Sequence, residues 1–265
     1  MTLRTLLILV TLAGFHLPAV SAPQPACSDP SLTISLKGQS DVNSWATSYD
    51  CTVVQGNLYI SDDSKNPGDA VTSLAGLTSL QRVDGLLRLG VGDTSGLKQL
   101  TTLQGLNNVT SVGSLRVEGA LELADISALS NLASISCPLV PPVKGACFSG
   151  LNVNNTPKLT SLAALAGLST VGTINTLTLN GIPLLVNVTE LNNLPQAQTV
   201  FLENIPLNTP ANQAELNHLA GEAKALQLKS LAGVSAFPVA PNLESIDVVD
   251  SPFTDLTDLA NYPLL

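Results

Sequence analysis

Leu151-Asn-Val-Asn-Asn155-Thr-Pro157-Lys-Leu159-Thr-Ser-Leu162-Ala-Ala-Leu165-Ala-Gly-Leu168-Ser-Thr-Val171 holds two patterns end to end. It opens on an apolar-x-apolar pair, Leu151/Val153, the alternation of a short strand with one face buried. Asn155 tolerates left-handed backbone angles and Pro157 follows it, so the strand ends in a tight turn. From Leu159 the apolar residues then fall at every third position, through Leu162, Leu165 and Leu168 to Val171. A period of three fits neither the 3.6 of an α-helix nor the 2 of a long strand.

Both patterns recur on either side. Three-residue runs lie at Val71–Val83, Leu97–Val112, Leu123–Ile135 and Val188–Val200, with two more starting at Leu231 and Leu256. Short alternating pairs occur at Leu58/Ile60, Leu87/Leu89, Leu115/Val117, Leu177/Leu179, Val200/Leu202, Leu226/Leu228 and Ile246/Val248. The position occupied by Asn155 is filled by Gly119, Gly181, Asn204 and Asp250 in other copies, whereas Val91 and Ser230 depart from the pattern. Such self-similarity marks a solenoid: about eight short parallel strands stacked around one apolar interior, mainly β. Two segments interrupt it. Pro210 to Lys224 has helical spacing with Thr209 as N-cap, and Ser40–Asp50 reads as a second short helix.

The first 22 residues carry Arg4, an apolar run from Leu6 to Leu17 and then Val20-Ser21-Ala22, the layout of a secretory signal peptide. Residues 23–56 are expected to form a disulfide-tied N-terminal cap, and residues 57–265 the leucine-rich solenoid with an insert at 136–148. Four cysteines, Cys27, Cys51, Cys137 and Cys147, suit an oxidising compartment. Three pairings exist on paper; local closure favours Cys27–Cys51 and Cys137–Cys147. The sequons at Asn108, Asn154 and Asn187 fit the same extracellular or cell-surface address, Asn154 being weakened by Pro157 directly after its Thr156.

Cys51-Thr-Val-Val-Gln-Gly-Asn-Leu-Tyr-Ile60, preceded by Cys27, resembles the opening of receptor L domains. These are the leucine-rich β-solenoids of the epidermal growth factor and insulin receptors and of some fungal cell-wall proteins. The units at Leu151–Leu159 and Leu177–Leu185 look like that family's inner repeats. The resemblance spans roughly residues 27 to 265 and implies a right-handed β-solenoid with disulfide-tied caps. The chain departs from it in having more strand copies. Because no cysteine-rich module, kinase or Ser/Thr-rich stalk stands in the sequence, the receptor role is not carried over.

Chemistry-bearing motifs are sparse. His218 lies on the expected helix without a nucleophile motif, and Gly90-Val-Gly92-Asp-Thr-Ser-Gly96 misses the dinucleotide fingerprint and reads as an inter-repeat turn. The carboxylates Asp247, Asp250, Asp255 and Asp258 match no calcium loop. No enzyme activity, cofactor or metal is expected, with a polysaccharide-active β-helix enzyme the remotest reading. A net charge of −9 without a Lys/Arg cluster speaks against nucleic acid, and after the leader no segment is long and apolar enough to span a bilayer.

What remains is a surface. The middle residue of each strand should point away from the core: Tyr59, Arg88, Arg116, Asn152, Thr178, Phe201, Gln227 and Asp247. Arginine and aromatic side chains are the usual interface anchors, so this face is the candidate binding surface for an extracellular protein or glycan. Reversing both Arg88 and Arg116 to glutamate is expected to abolish binding without lowering the melting temperature. A structural cell-wall or matrix component is the alternative reading. The last run, Leu256, Leu259, Tyr262, Leu265, leads into no strand. It is read as a chain cut inside a repeat, or as an open end covered by a partner or by end-to-end self-association.

Overall fold

In the structure, a computed structural model, the backbone N–H of many leucines in the three-residue runs donates to the carbonyl three residues back. Leu77 bonds Leu74 and Leu80 bonds Leu77, both at 2.9 Å; Leu165 bonds Leu162 at 2.8 Å and Leu168 bonds Leu165 at 3.1 Å. These are 3-10-type turns. With three residues per turn, side chains at i and i+3 eclipse, so one residue in three, the leucine, faces the interior. That is the physical origin of the period, and Ala75–Leu77, Ser127–Leu129 and Ala163–Leu165 close into short 3-10 helices.

The residues described are 25–91, 96–136, 149–168, 174–185, 190, 192, 194, 196–207, 212–233, 236–251, 253, 259 and 262. They contain eleven strands: β1 (Thr33–Lys37), β2 (Val53–Val54), β3 (Asn57–Ser61), β4 (Arg82–Leu89), β5 (Ser111–Glu118), β6 (Ser134–Ile135), β7 (Gly150–Asn154), β8 (Ile174–Asn180), β9 (Ala197–Glu203), β10 (Ala225–Lys229) and β11 (Ser245–Val249). All belong to one open parallel sheet in the order β1-β3-β4-β5-β7-β8-β9-β10-β11, with β2 on β4 and β6 on β5. Consecutive neighbours that pair in parallel require the chain to return to the same end of the sheet between them, so each strand belongs to one coil.

Register is kept along the stack apart from one shift between β4 and β5 at Val83–Leu86. Ile34, Leu58, Leu87, Leu115, Leu151, Leu177, Val200, Leu226 and Ile246 form one inward row. A second inward row runs two residues further along each strand. Because the side-chain period is two, a one-residue slip in any coil would turn both rows out to water. The rows and the 3-10 leucines share one continuous core in which most side chains are fully buried.

The expected left-handed turns are present at Gly119, Asn155, Gly181, Asn204 and Asp250, with φ between 49° and 67°. Ser230, read as a departure, has φ 50° as well. Its N–H bonds the Val249 carbonyl at 2.9 Å, as Asn204 bonds Lys229 at 3.1 Å, so position in the coil decides the geometry rather than residue type. In β4 the left-handed residue is Gly90 (φ 86°), one place before Val91. A Cβ there would sit 1.9 Å from the Glu118 carbonyl oxygen, so only glycine fits.

Three expectations change in detail. The sheet has eleven strands among the described residues rather than about eight, and it begins inside the expected cap, since β1 pairs with β3. The helix expected over Ser40–Asp50 is two short turns. Chain order gives α1 (Pro25–Ser28), α2 (Gln39–Asn43), α3 (Trp45–Ser48) and α4 (Asn212–Ala220), the last within the helix expected over Pro210–Lys224. Cys27 and Cys51 are joined, with Cα atoms 6.4 Å apart, and in the same cap Trp45 is fully buried, its ring centroid 5.2 Å from that of Tyr49. Residues 1–22, Cys137, Cys147 and nearly all of the insert, Asn187, Thr209, Leu256 and Leu265 lie outside the described residues. Past β11, Tyr262 is buried, its hydroxyl donating to the Pro238 carbonyl, and Phe253 stacks on Phe237. No helix among the described residues is long and apolar enough to cross a membrane.

Candidate recognition face

The middle residues of the strands stand side by side in one outward row: Ser35, Tyr59, Arg88, Arg116, Asn152, Thr178, Phe201, Gln227 and Asp247. The eight residues picked out by alternation are therefore brought together. Ser35 was missed, although Ile34 and Leu36 flank it with the same signal.

The two arginines are not bare. Glu118, two residues beyond Arg116 on β5 and so on the same face, is only 8% exposed. Its Oε2 accepts from Arg88 Nε at 2.9 Å and lies 2.6 Å from Arg88 Nη2, while Oε1 is 3.8 Å from Arg116 Nη1. The Arg88 guanidinium also lies 5.9 Å from the centre of the Tyr59 ring. Tyr59, Arg88 and Glu118 thus form a compact, charge-balanced cluster at one end of the face. Arg116 is the freer cation, with its side chain 46% exposed. The expectation that charge reversal at both arginines spares stability is corrected here: Arg88→Glu would press two carboxylates together where little water reaches.

Next to this cluster the face dips. Ser114, Arg116, Gly150, Leu151, Asn152, Thr176, Thr178 and Phe201 line an open groove with a volume of 230 Å³. Its cause is the size of neighbouring side chains: the outward row beside the middle one reads Ser114, Gly150, Thr176, and glycine leaves the Gly150 carbonyl bare to accept from Ser114 Oγ at 3.0 Å. Gln227 Nε2 donates to Asp247 Oδ2 at 2.8 Å beyond the far wall. Along the third outward row Lys229 Nζ lies 2.9 Å from Glu203 Oε1. Hydrogen bonding to that carboxylate, and then its charge, raise the ammonium pKa above the ordinary lysine value.

Most of the other sequence candidates are placed apart from the face or act in the fold. Asn108 is exposed on a turn, its Nδ2 donating to the Thr78 carbonyl of the preceding coil at 2.7 Å. Asn131 repeats that bond to Asn107 at 2.7 Å. Asn154 ends β7 on the sheet face, and the Thr156 of its sequon is fully buried. His218 Nε2 lies 3.1 Å from the Leu194 carbonyl, a tie between α4 and the coil before it. Asp255 and Asp258 of the acidic group, and Gly92 of the glycine-rich turn, lie outside the described residues.

Comparison with protein-family models, with curated proteins and with solved structures finds no match to this chain.

Proposed function

We propose that this chain is a secreted or cell-surface, non-enzymatic recognition module that binds a protein or a glycan through the outer face of its sheet. In this reading the stack is a right-handed β-solenoid of the receptor L-domain kind, and residues 1–22 are its export leader. The observation that carries it is the outward row. Nine strands in register set Tyr59, Arg88, Arg116, Asn152, Thr178 and Phe201 on one face, with anchors of the kind that dominate interfaces. Rigidity adds to this, since side chains held on paired strands lose little further freedom on binding.

The test is a binding screen of the secreted protein against extracellular proteins and glycans, repeated with Arg116→Ala. Arg116 is chosen because half of its side chain faces water and it holds Glu118 only loosely. The variant should keep the wild-type melting temperature and lose affinity about tenfold or more for the captured ligand. Unchanged affinity would remove this face from consideration. Failure to bind any probe, with the protein recovered in an insoluble wall or matrix fraction, would favour the structural reading instead.

A further inference from the structure

The groove on the sheet face contains polar groups with nothing to bond. Among the described residues the Thr176 and Thr178 hydroxyls and the Asn152 amide make no side-chain hydrogen bond, and Asn152 Oδ1 is buried without a donor. A buried acceptor left unpaired is unfavourable. Asn152 lines the groove between Arg116 and Thr178, so a ligand seated there could supply the donor that its Oδ1 lacks. Arg116 stands at one side, 3.8 Å from Glu118, an ion pair that leaves guanidinium N–H groups free to donate. Phe201 lines the other side with a flat apolar ring.

Hydroxyl donors and acceptors at close spacing beside an aromatic wall match one ligand chemistry: a sugar ring, with hydroxyls at its rim and an apolar C–H face. Charge narrows the choice. The Arg116 charge is shared with Glu118 and the chain is acidic overall, at −9, so an anionic sugar gains little here. Size narrows it again, because 230 Å³ is below the roughly 300–1,000 Å³ of sites that engulf a drug-sized molecule. We propose that the groove is a subsite for one pyranose residue of a neutral glycan, an inference that rests on the sheet-face reading above.

The experiment is a titration of the isotope-labelled secreted protein with neutral oligosaccharides, namely linear glucose, mannose and N-acetylglucosamine oligomers, followed by NMR. Shifts should concentrate at Arg116, Asn152, Thr176 and Thr178. Phe201→Ala should weaken binding about tenfold or more by removing the aromatic wall. Thr178→Val, which keeps shape and deletes one hydroxyl, should weaken it severalfold with no change in melting temperature. Lys98→Ala, in an exposed turn outside the sheet, should leave sugar affinity unchanged. Shifts confined to other parts of the molecule, or none with any of these sugars at millimolar concentration, would overturn the subsite. A protein ligand lost on Arg116→Ala, in a chain that binds none of the sugars, would also overturn it while leaving the sheet-face reading standing.

Discussion

Truncating Leu115 to alanine is expected to cost about 3–5 kcal/mol and to lower the melting temperature on the order of 10 °C. Leu115 is 1% exposed and sits mid-stack, paired with Leu87 on one side and Leu151 on the other. The cavity left by its removal lies between two coils whose own leucines are fixed by register, so little collapse can fill it. Ile246 occupies the same row in β11, the last strand of the sheet, and is only half-buried. Ile246→Ala should therefore cost less than about 1.5 kcal/mol. Chemical denaturation of both variants measures the difference. Equal losses would mean that the row does not run from an enclosed interior to an open end.

Arg88→Glu is the second large effect, at about 3–5 kcal/mol, because it breaks a mostly buried ion pair and leaves Glu118 facing a second carboxylate. Arg116→Glu, with a half-exposed side chain and a 3.8 Å separation, should stay within about 1 kcal/mol. The pH dependence has a definite sign. In the Arg88→Glu variant each carboxylate would raise the other's pKa in the folded state above its unfolded value. A raised folded value means stability is recovered as pH falls through the carboxylate range, so the deficit should shrink on acidification. Thermal melts of the two variants between neutral and mildly acidic pH check this. A deficit that is independent of pH would show that Glu118 and residue 88 do not face each other.

Much of this architecture is legible in the sequence, and for a local reason. Each coil repeats its own short-range chemistry: alternation in the strand, a left-handed residue at its end, leucines at every third place. Leu151 to Val171 alone shows all three. What the sequence did not yield depends on neighbours far apart along the chain. Val53–Val54 and Ser134–Ile135 are two-residue strands that exist only because β4 and β5 offer edges to them. Ser230 adopts a left-handed angle because the Val249 carbonyl fixes its N–H, not because serine favours that region. Thr33–Lys37 carries the alternation of a strand but lies between the two cap cysteines, where closure by the disulfide is the louder signal.

The candidate site divides the same way. The outward row follows from period two, and it was read correctly for eight of its nine members. Glu118 was legible in the same terms, since Arg116-Val-Glu118 puts both charges on one face, but its burial depends on Arg88 arriving from the coil before. The groove was not legible at all. It arises from the coincidence of Ser114, Gly150 and Thr176 on adjacent strands, residues separated by 36 and 26 positions, and no local pattern records that coincidence.

The recognition face exists only if the outward row is one straight line of neighbours across a parallel sheet. Spin labels at Tyr59 and Gln227 test it directly. These residues lie six strand steps apart along the order β3-β4-β5-β7-β8-β9-β10. At about 4.8 Å per step their backbones should be about 29 Å apart. Double electron–electron resonance should give one narrow distance distribution centred there, lengthened only by the reach of the labels. A centre near half that value, or a broad distribution spanning tens of ångströms, would contradict the in-register row and the recognition face built on it.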